Sequence, residues 1–140
     1  MAAFTLTDAL IIINGVTLSD HGNKVTITDT REEKDATAFG ATSKSSLKGL
    51  GEASIVVGLY QDYAAGKTHA TLLPLISSTT PVQVEVRATS AARSATNPGH
   101  VLASALLFDY TPLDASVGDV PMTTATFKNN GNAGMSYPTA

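Results

Sequence analysis

Apolar residues recur at every second position in several separate segments of this 140-residue chain. Such alternation places one set of side chains on each face of a β-strand, so it predicts half-buried strands. About seven segments show this pattern or a short apolar run, and they lie near residues 10–13, 16–18, 25–28, 53–59, 82–87, 101–110 and 123–128. The first two are joined by Asn14-Gly15, the dipeptide that most strongly favours a two-residue hairpin turn. The sequence therefore predicts a mainly β fold, a β-sandwich or partly open barrel.

Residues 62–76 depart from the alternation, because their apolar positions recur at helical spacing. We expect one short helix that begins at Lys67 or Thr68 and that Pro74 ends or distorts. This helix is expected to cover one face of the sheet. The predicted core consists of the helix residues Leu72 and Leu73 and the strand residues Ile55, Val57, Leu59, Val84, Phe108 and Phe127.

The chain length predicts a single domain, 1–140, large enough to bury a real core. Cysteine is absent, so neither a disulfide nor a thiolate metal site is available. The N-terminus lacks the basic region of a signal peptide and soon reaches Asp8, and the longest apolar run, residues 9–13, is far too short to span a membrane. We therefore expect a protein made in the cytoplasm, with no membrane partner.

The charge balance argues for an assembly subunit. The net charge is −3, whereas a nucleic-acid-binding protein usually carries a basic stripe. Only 15% of the residues are charged, while roughly 25% is typical of soluble domains. Such a surface is either covered in Ser, Thr, Asn and Gly or partly buried by other subunits, and we favour the second interpretation.

Motifs for chemistry are largely missing. Gly66-Lys67-Thr68 resembles the end of a phosphate-binding loop, but that motif requires a glycine where this chain has Gln61. The three histidines are widely separated, so ordinary surface histidines are a better interpretation than a metal site formed between subunits. No nucleophile motif of the Gly-x-Ser-x-Gly type occurs. The sequence predicts no enzymatic activity, no cofactor and no metal.

The connection at residues 30–51 is unusually long and polar. Connections longer than ~12–15 residues are usually functional, disordered or a sign of misassigned elements. Four acids and two bases lie between residues 29 and 39, and two bases but no acid lie between residues 40 and 51. This division suits head-to-tail contacts between identical subunits, although mixed charge is equally usual in exposed loops. The Gly- and Asn-rich residues 129–140 are predicted to form a loose C-terminal arm.

The order of these parts resembles the tail tube (major tail) proteins of long-tailed bacteriophages, over about residues 6–131. The resemblance lies in a strand, a long loop, a return strand, a helix and closing strands. The segments that carry it are Thr37-Ala-Phe-Gly40, Gly49-Leu50-x-x-Ala53-x-Ile55-x-Val57, Leu72-Leu-Pro-Leu75, Val117-Gly-Asp119 and Asn129-Asn-Gly131.

The resemblance implies a structural virion protein of the phage tail, assembled in the host cytoplasm. Its subunits would form hexameric rings that stack into a conduit for DNA, with a tape-measure protein and tail initiator and terminator proteins as partners. The long loop would reach the neighbouring ring. The candidate inter-subunit residues are Arg31, Glu32, Glu33, Lys34, Asp35, Phe39, Lys44 and Lys48. Because lysine and arginine bind phosphates strongly, the lumen should be neutral or acidic, with Glu85 and Asp109 as candidate lining residues.

Two other functions fit the same sequence. A capsid decoration protein is also small, strand-rich and low in charge, and often trimeric. A free-standing adhesion or binding domain with an immunoglobulin-like sandwich would be a monomer without need of a long arm. A neighbouring tape-measure gene would favour the tail tube, and a neighbouring capsid gene would favour decoration.

Overall fold

The computed structural model describes residues 3–140 and consists there of one open antiparallel sheet and one α-helix. The strands are β1 (Leu10–Ile13), β2 (Val16–Thr17), β3 (Gly22–Asp35), β4 (Ser46–Tyr60), β5 (Val82–Arg87), β6 (His100–Asp114), β7 (Met122–Asn129) and β8 (Met135–Ser136). Their order is β2-β1-β5-β6-β7-β4-β3, and β8 pairs with β6. The predicted mainly β fold with one short helix is confirmed, and the edge strands β2 and β3 leave the sheet unclosed.

The turn between β1 and β2 forms as the sequence predicts. Asn14 and Gly15 have φ angles of 51° and 81°, and Ile13 pairs with Val16 across the turn. The type I′ turn, which matches the twist of the flanking strands, requires a positive φ at both central residues. Asparagine and glycine tolerate a positive φ best.

One face of the sheet packs with the helix α1 (Thr68–Ile76) to form the hydrophobic core. All predicted core residues except Phe108 and Leu73 are confirmed as buried. The fully buried apolar side chains include Ile13, Leu18, Ile55, Val57, Leu59, Leu72, Val84, Leu102 and Phe127.

Phe108 was predicted to point inward, but its side chain is 58% exposed. The reason is a β-bulge in β6: Leu107 pairs with Phe127 and Asp109 pairs with Thr126, so Phe108 is an extra residue without a partner. A bulge shifts the alternation by one position. Leu107 is therefore buried in place of Phe108. The next side chain of β6 that packs against the core is that of Tyr110.

The helix begins at Thr68, as expected, but Pro74 lies inside it rather than ending it. Its buried residues are Thr68, Leu72 and Leu75, which lie at i, i+4 and i+7 on one helix face. Leu73 projects sideways from that face and is 50% exposed, so its assignment to the core is wrong. No helix within residues 3–140 has the length and apolarity needed to cross a membrane.

Residues 30–51 are not the irregular loop that the sequence suggests. β3 and β4 remain paired from Thr30 opposite Glu52 to Asp35 opposite Ser46, with one register shift between Arg31 and Glu33, and residues 36–45 form the connection between the two strands. Nearly every side chain in residues 30–51 is exposed, so this region extends beyond the core. We call it the projecting hairpin. Backbone pairing and polar side-chain contacts maintain these strands without core burial, which is why they lack the apolar alternation that would have revealed them.

The C-terminal residues are packed rather than loose, which corrects the prediction for residues 129–140. Met135 is buried and pairs with Leu102, and Ser136 pairs with Val101. The Gly99 amide also donates a 2.9 Å hydrogen bond to the Pro138 carbonyl oxygen. This two-residue strand occupies the edge of β6 beyond the end of β7, and it is too short to produce a periodic signal in the sequence.

Candidate assembly surfaces

The face of the sheet opposite the core carries mainly small polar side chains. Thr26, Val56, Thr126 and Asp109 lie side by side across β3, β4, β7 and β6. The neighbouring row contains Lys24, Gly58, Thr124 and Thr111. These positions alternate with buried core residues along each strand, so they share the other face. We call this surface the helix-free face.

Asp109, one of the two predicted lumen residues, is exposed on the helix-free face. Its position follows from the bulge, because the residue after Phe108 resumes pairing with Thr126 on that face. The face also carries Lys128, whose ammonium group lies 6.0 Å from the centre of the Phe108 ring. Acidic and basic side chains are therefore both present. The surface is polar, and neither positive nor negative charge predominates strongly.

Glu85, the other predicted lumen residue, is only 4% exposed. Its carboxylate accepts hydrogen bonds from Arg93 Nε at 3.1 Å and Arg87 Nε at 2.6 Å, and Arg93 donates a second bond through Nη2. The Arg93 hydrogen bonds, aided by Arg87, lower the pKa of Glu85 despite its burial. A carboxylate enclosed by two arginines offers no free charge to a lumen, so we withdraw this candidate.

All eight predicted inter-subunit residues lie on the projecting hairpin and are exposed. The acids of its β3 limb interact within the hairpin. Glu32 forms a 2.5 Å ion pair with Lys34, and Glu33 accepts a hydrogen bond from a β4 serine. The Thr37 hydroxyl and backbone amide both donate to Asp35, and these two bonds lower the pKa of its carboxyl group.

The other limb of the projecting hairpin is different in character. Lys44 and Lys48 form no ion pair with any residue in the described part of the chain, 3–140. Phe39, Leu47 and Leu50 are largely exposed, and Phe39 is fully so. Phe39 and Lys44 lie in the connection 36–45, Leu47 and Lys48 lie on β4 close to it, and Leu50 lies at the base of the hairpin beside Gly51. The end of the hairpin thus presents the apolar side chains of Phe39 and Leu47 together with unpaired positive charge.

Sequence reasoning overlooked a second exposed apolar surface, residues 113–121. It comprises the last two residues of β6 and the connection to β7, and we call it the β6–β7 turn. Leu113, Val117 and Val120 are largely exposed there, and Val117 is fully so. Asp114 and Asp119 flank them, and neither forms an ion pair with another residue in 3–140. Two valines in a turn that also contains Gly118 and Pro121 are the sequence signal that could have revealed this surface.

A cluster of one histidine and two aspartates, His21 with Asp20 and Asp62, connects two loops. The ring of His21 contacts Asp20 through Nδ1 and Asp62 through Nε2, both at 2.8 Å. The hydrogen bonds to Asp20 and then to Asp62 raise the pKa of His21. Within residues 3–140, no three His, Cys, Asp or Glu side chains are grouped so that they could hold a metal ion. The cluster therefore joins the 3-10 helix Ser19–His21 to the connection that follows β4.

No protein-family model matches the sequence, and no curated protein matches it either. Solved structures do match over nearly the whole chain. A chain in the tail of an empty gene transfer agent particle, refined with C6 symmetry, is 14% identical with a TM-score of 0.70, covering 97% of this chain and 99% of that one.

Two further matches come from contractile systems. A chain of the PVC sheath–tube complex, from an extracellular contractile injection system, is 11% identical with a TM-score of 0.69, covering 99% of this chain and 93% of that one. A chain of the anti-feeding prophage cap, which terminates the tube, is 8% identical with a TM-score of 0.71, covering 100% of this chain and 95% of that one. The chain has a tail-tube-like fold. The resemblance found in the sequence is confirmed at this level.

Proposed function

We propose that this protein is a structural, non-enzymatic subunit of a phage-type tail tube. Its rings would be hexameric and stacked, and would enclose a conduit for DNA within a virion assembled in the host cytoplasm. The observation that carries the proposal is the full-length fold likeness to chains of tails and tubes, one of them with C6 symmetry. A tape-measure protein and tail initiator and terminator proteins are the expected partners.

The open sheet supports ring formation. β3 is an edge strand, so one side of its backbone between Gly22 and Asp35 has no strand partner in the described residues. Unpaired edges of this length invite pairing with another chain. Pairing the β3 edge of one copy with the opposite sheet edge of the next joins the sheets around a ring, and a closed ring leaves no edge for uncontrolled association.

The helix-free face supports the lumen assignment. DNA has to pass through a tail without being retained, and phosphate contacts by lysine and arginine would retain it. The rows carry mainly threonine, with Val56 and Gly58, and Asp109 lies on the same face as the separated lysines Lys24 and Lys128. This face is therefore hydrated and has no continuous basic stripe. The projecting hairpin, which carries the candidate contact residues from Arg31 to Lys48, would then extend toward the neighbouring ring.

Electron microscopy of the purified protein, alone and with its tail initiator, tests this function. We expect sixfold rings and tubes with a central channel. Monomers under every condition would refute the proposal, and trimers that bind capsids would instead support decoration. Sixfold rings that never elongate would indicate a tube terminator, a role suggested by the likeness to the anti-feeding prophage cap.

A further inference from the structure

The two exposed apolar surfaces lie at opposite ends of the sheet. β4 starts at the projecting hairpin and ends at Tyr60, which pairs with Met122 beside the β6–β7 turn. A strand of 15 residues extends about 50 Å at roughly 3.3 Å per residue. The hairpin end and the β6–β7 turn of one chain therefore cannot touch each other, and each is left without a partner in the monomer.

The two surfaces are complementary in charge as well as in polarity. Residues 36–50 carry Lys44 and Lys48 but no acid, and residues 109–122 carry acids, including Asp114 and Asp119, but no base. None of these four side chains forms an ion pair within residues 3–140. Each charge pair flanks exposed apolar side chains, and exposed apolar groups surrounded by polar residues are typical of interaction sites.

We propose that the end of the projecting hairpin docks on the β6–β7 turn of a second copy of this chain in the next ring. Phe39 and Leu47 near the end of the hairpin pack against Leu113, Val117 and Val120 of the turn. The lysines face Asp114 and Asp119. The inference rests on the proposed tube function and names the surface that receives the hairpin. Different patches at opposite ends make a heterologous contact, which generates open-ended stacks rather than closed dimers.

A charge exchange tests the pairing. We compare Lys44→Glu/Lys48→Glu with Asp114→Lys/Asp119→Lys, using ring formation by sedimentation and tube length by electron microscopy. Each double variant is expected to form rings but to give at least about tenfold fewer stacked rings, because small repulsive terms add up over all subunits of a ring. Mixing the two double variants should restore tubes, since each hairpin then finds an oppositely charged turn on the other variant. The quadruple variant should restore them too.

The control is Lys128→Glu, which reverses a charge on the helix-free face of the interior strand β7, away from both docking surfaces and from the β3 edge. It should stack like the original protein. Equal loss of stacking in this control, or failure of both the mixture and the quadruple variant to form tubes, would overturn the docking contact. Absence of rings in the unsubstituted protein would instead refute the proposed function itself.

Cross-linking supplies an independent test, because the chain contains no cysteine. Phe39→Cys/Val117→Cys should give a reducible ladder of covalent multimers after oxidation of assembled tubes. Both positions are fully exposed, so folding should be unaffected. The control Phe39→Cys/Thr111→Cys, with its second thiol on the helix-free face, should give no ladder. A ladder in the control alone, or in neither variant, would show that the hairpin end meets another surface.

Discussion

We expect removal of the projecting hairpin to leave the folding of the domain intact but to prevent the stacking of rings. We consider the replacement of residues 32–50 by a short Asn-Gly turn that joins Arg31 to Gly51, which already pair across the two strands. The hydrophobic core begins beyond this segment, at Ala53. Asp29, which accepts a 2.7 Å hydrogen bond from Tyr137, is also retained.

The expected change in the free energy of unfolding is small. The deleted side chains are almost all exposed, so little apolar burial is lost. Each exposed backbone hydrogen bond contributes about 0.5–1.5 kcal/mol, but ordering each residue costs about 1–2 kcal/mol. Shortening the connection also lowers the loop-closure cost by roughly 0.6 kcal/mol per halving of its length. These terms largely cancel. We expect the free energy of unfolding of the shortened protein to lie within about 1 kcal/mol of that of the original.

Urea denaturation followed by circular dichroism measures this free energy, and electron microscopy measures assembly. The shortened protein should fold and form rings but should not stack. Limited proteolysis should cut the unassembled original first within residues 36–45, and assembly should protect that site. A loss of more than about 3 kcal/mol, comparable with a core truncation, would show that the hairpin belongs to the folding core. Normal tubes from the shortened protein would show that the hairpin is not the stacking element.

Three further predictions concern the domain itself. Phe127→Ala should cost about 3–5 kcal/mol of unfolding free energy because its ring is fully buried, whereas Phe108→Ala should cost less than about 1 kcal/mol; equal losses in urea denaturation would contradict the bulge in β6. His21→Asn should be less stable than the original at pH values below the ordinary histidine pKa of about 6.5. The two carboxylates raise the pKa of His21 in the folded state, so this stability is lost as the pH rises through the folded-state pKa, and a pH-independent difference would exclude the charged contact. Truncation before Met135 should cost about 2–5 kcal/mol, since a buried methionine and β8 are removed; unchanged thermal unfolding would mean that the C-terminal residues are loose after all.

Several features of the fold follow from local sequence. Alternation over residues 53–59 and 82–87 predicts which side chains are buried, because strand geometry directs successive side chains to opposite faces. The turn at Asn14-Gly15 and the start of the helix at Thr68 are equally local, since they depend on the φ preferences and spacing of neighbouring residues. The sequence order of these elements was also enough to suggest a tail-tube-like fold.

Other features depend on contacts between distant residues. Whether Phe108 faces inward depends on how β6 pairs with β7, because one unpaired residue reverses the alternation beyond it. Glu85 looks like any exposed strand acid until the chain brings Arg93 beside it. The loop that seemed to span residues 30–51 is mostly strand, since backbone pairing requires no apolar pattern.

The assembly surfaces divide in the same way. The sequence by itself determined that residues 30–51 are polar, divided in charge and poor in core residues. Only the tertiary structure decided that the acids of β3 interact within the hairpin while Lys44 and Lys48 remain unpaired. It also decided that the β6–β7 turn lies at the other end of the sheet. The composition of a segment is set by its own residues. Which of its charged side chains lack a partner, and in which direction it projects, depend on the strands that pair with it.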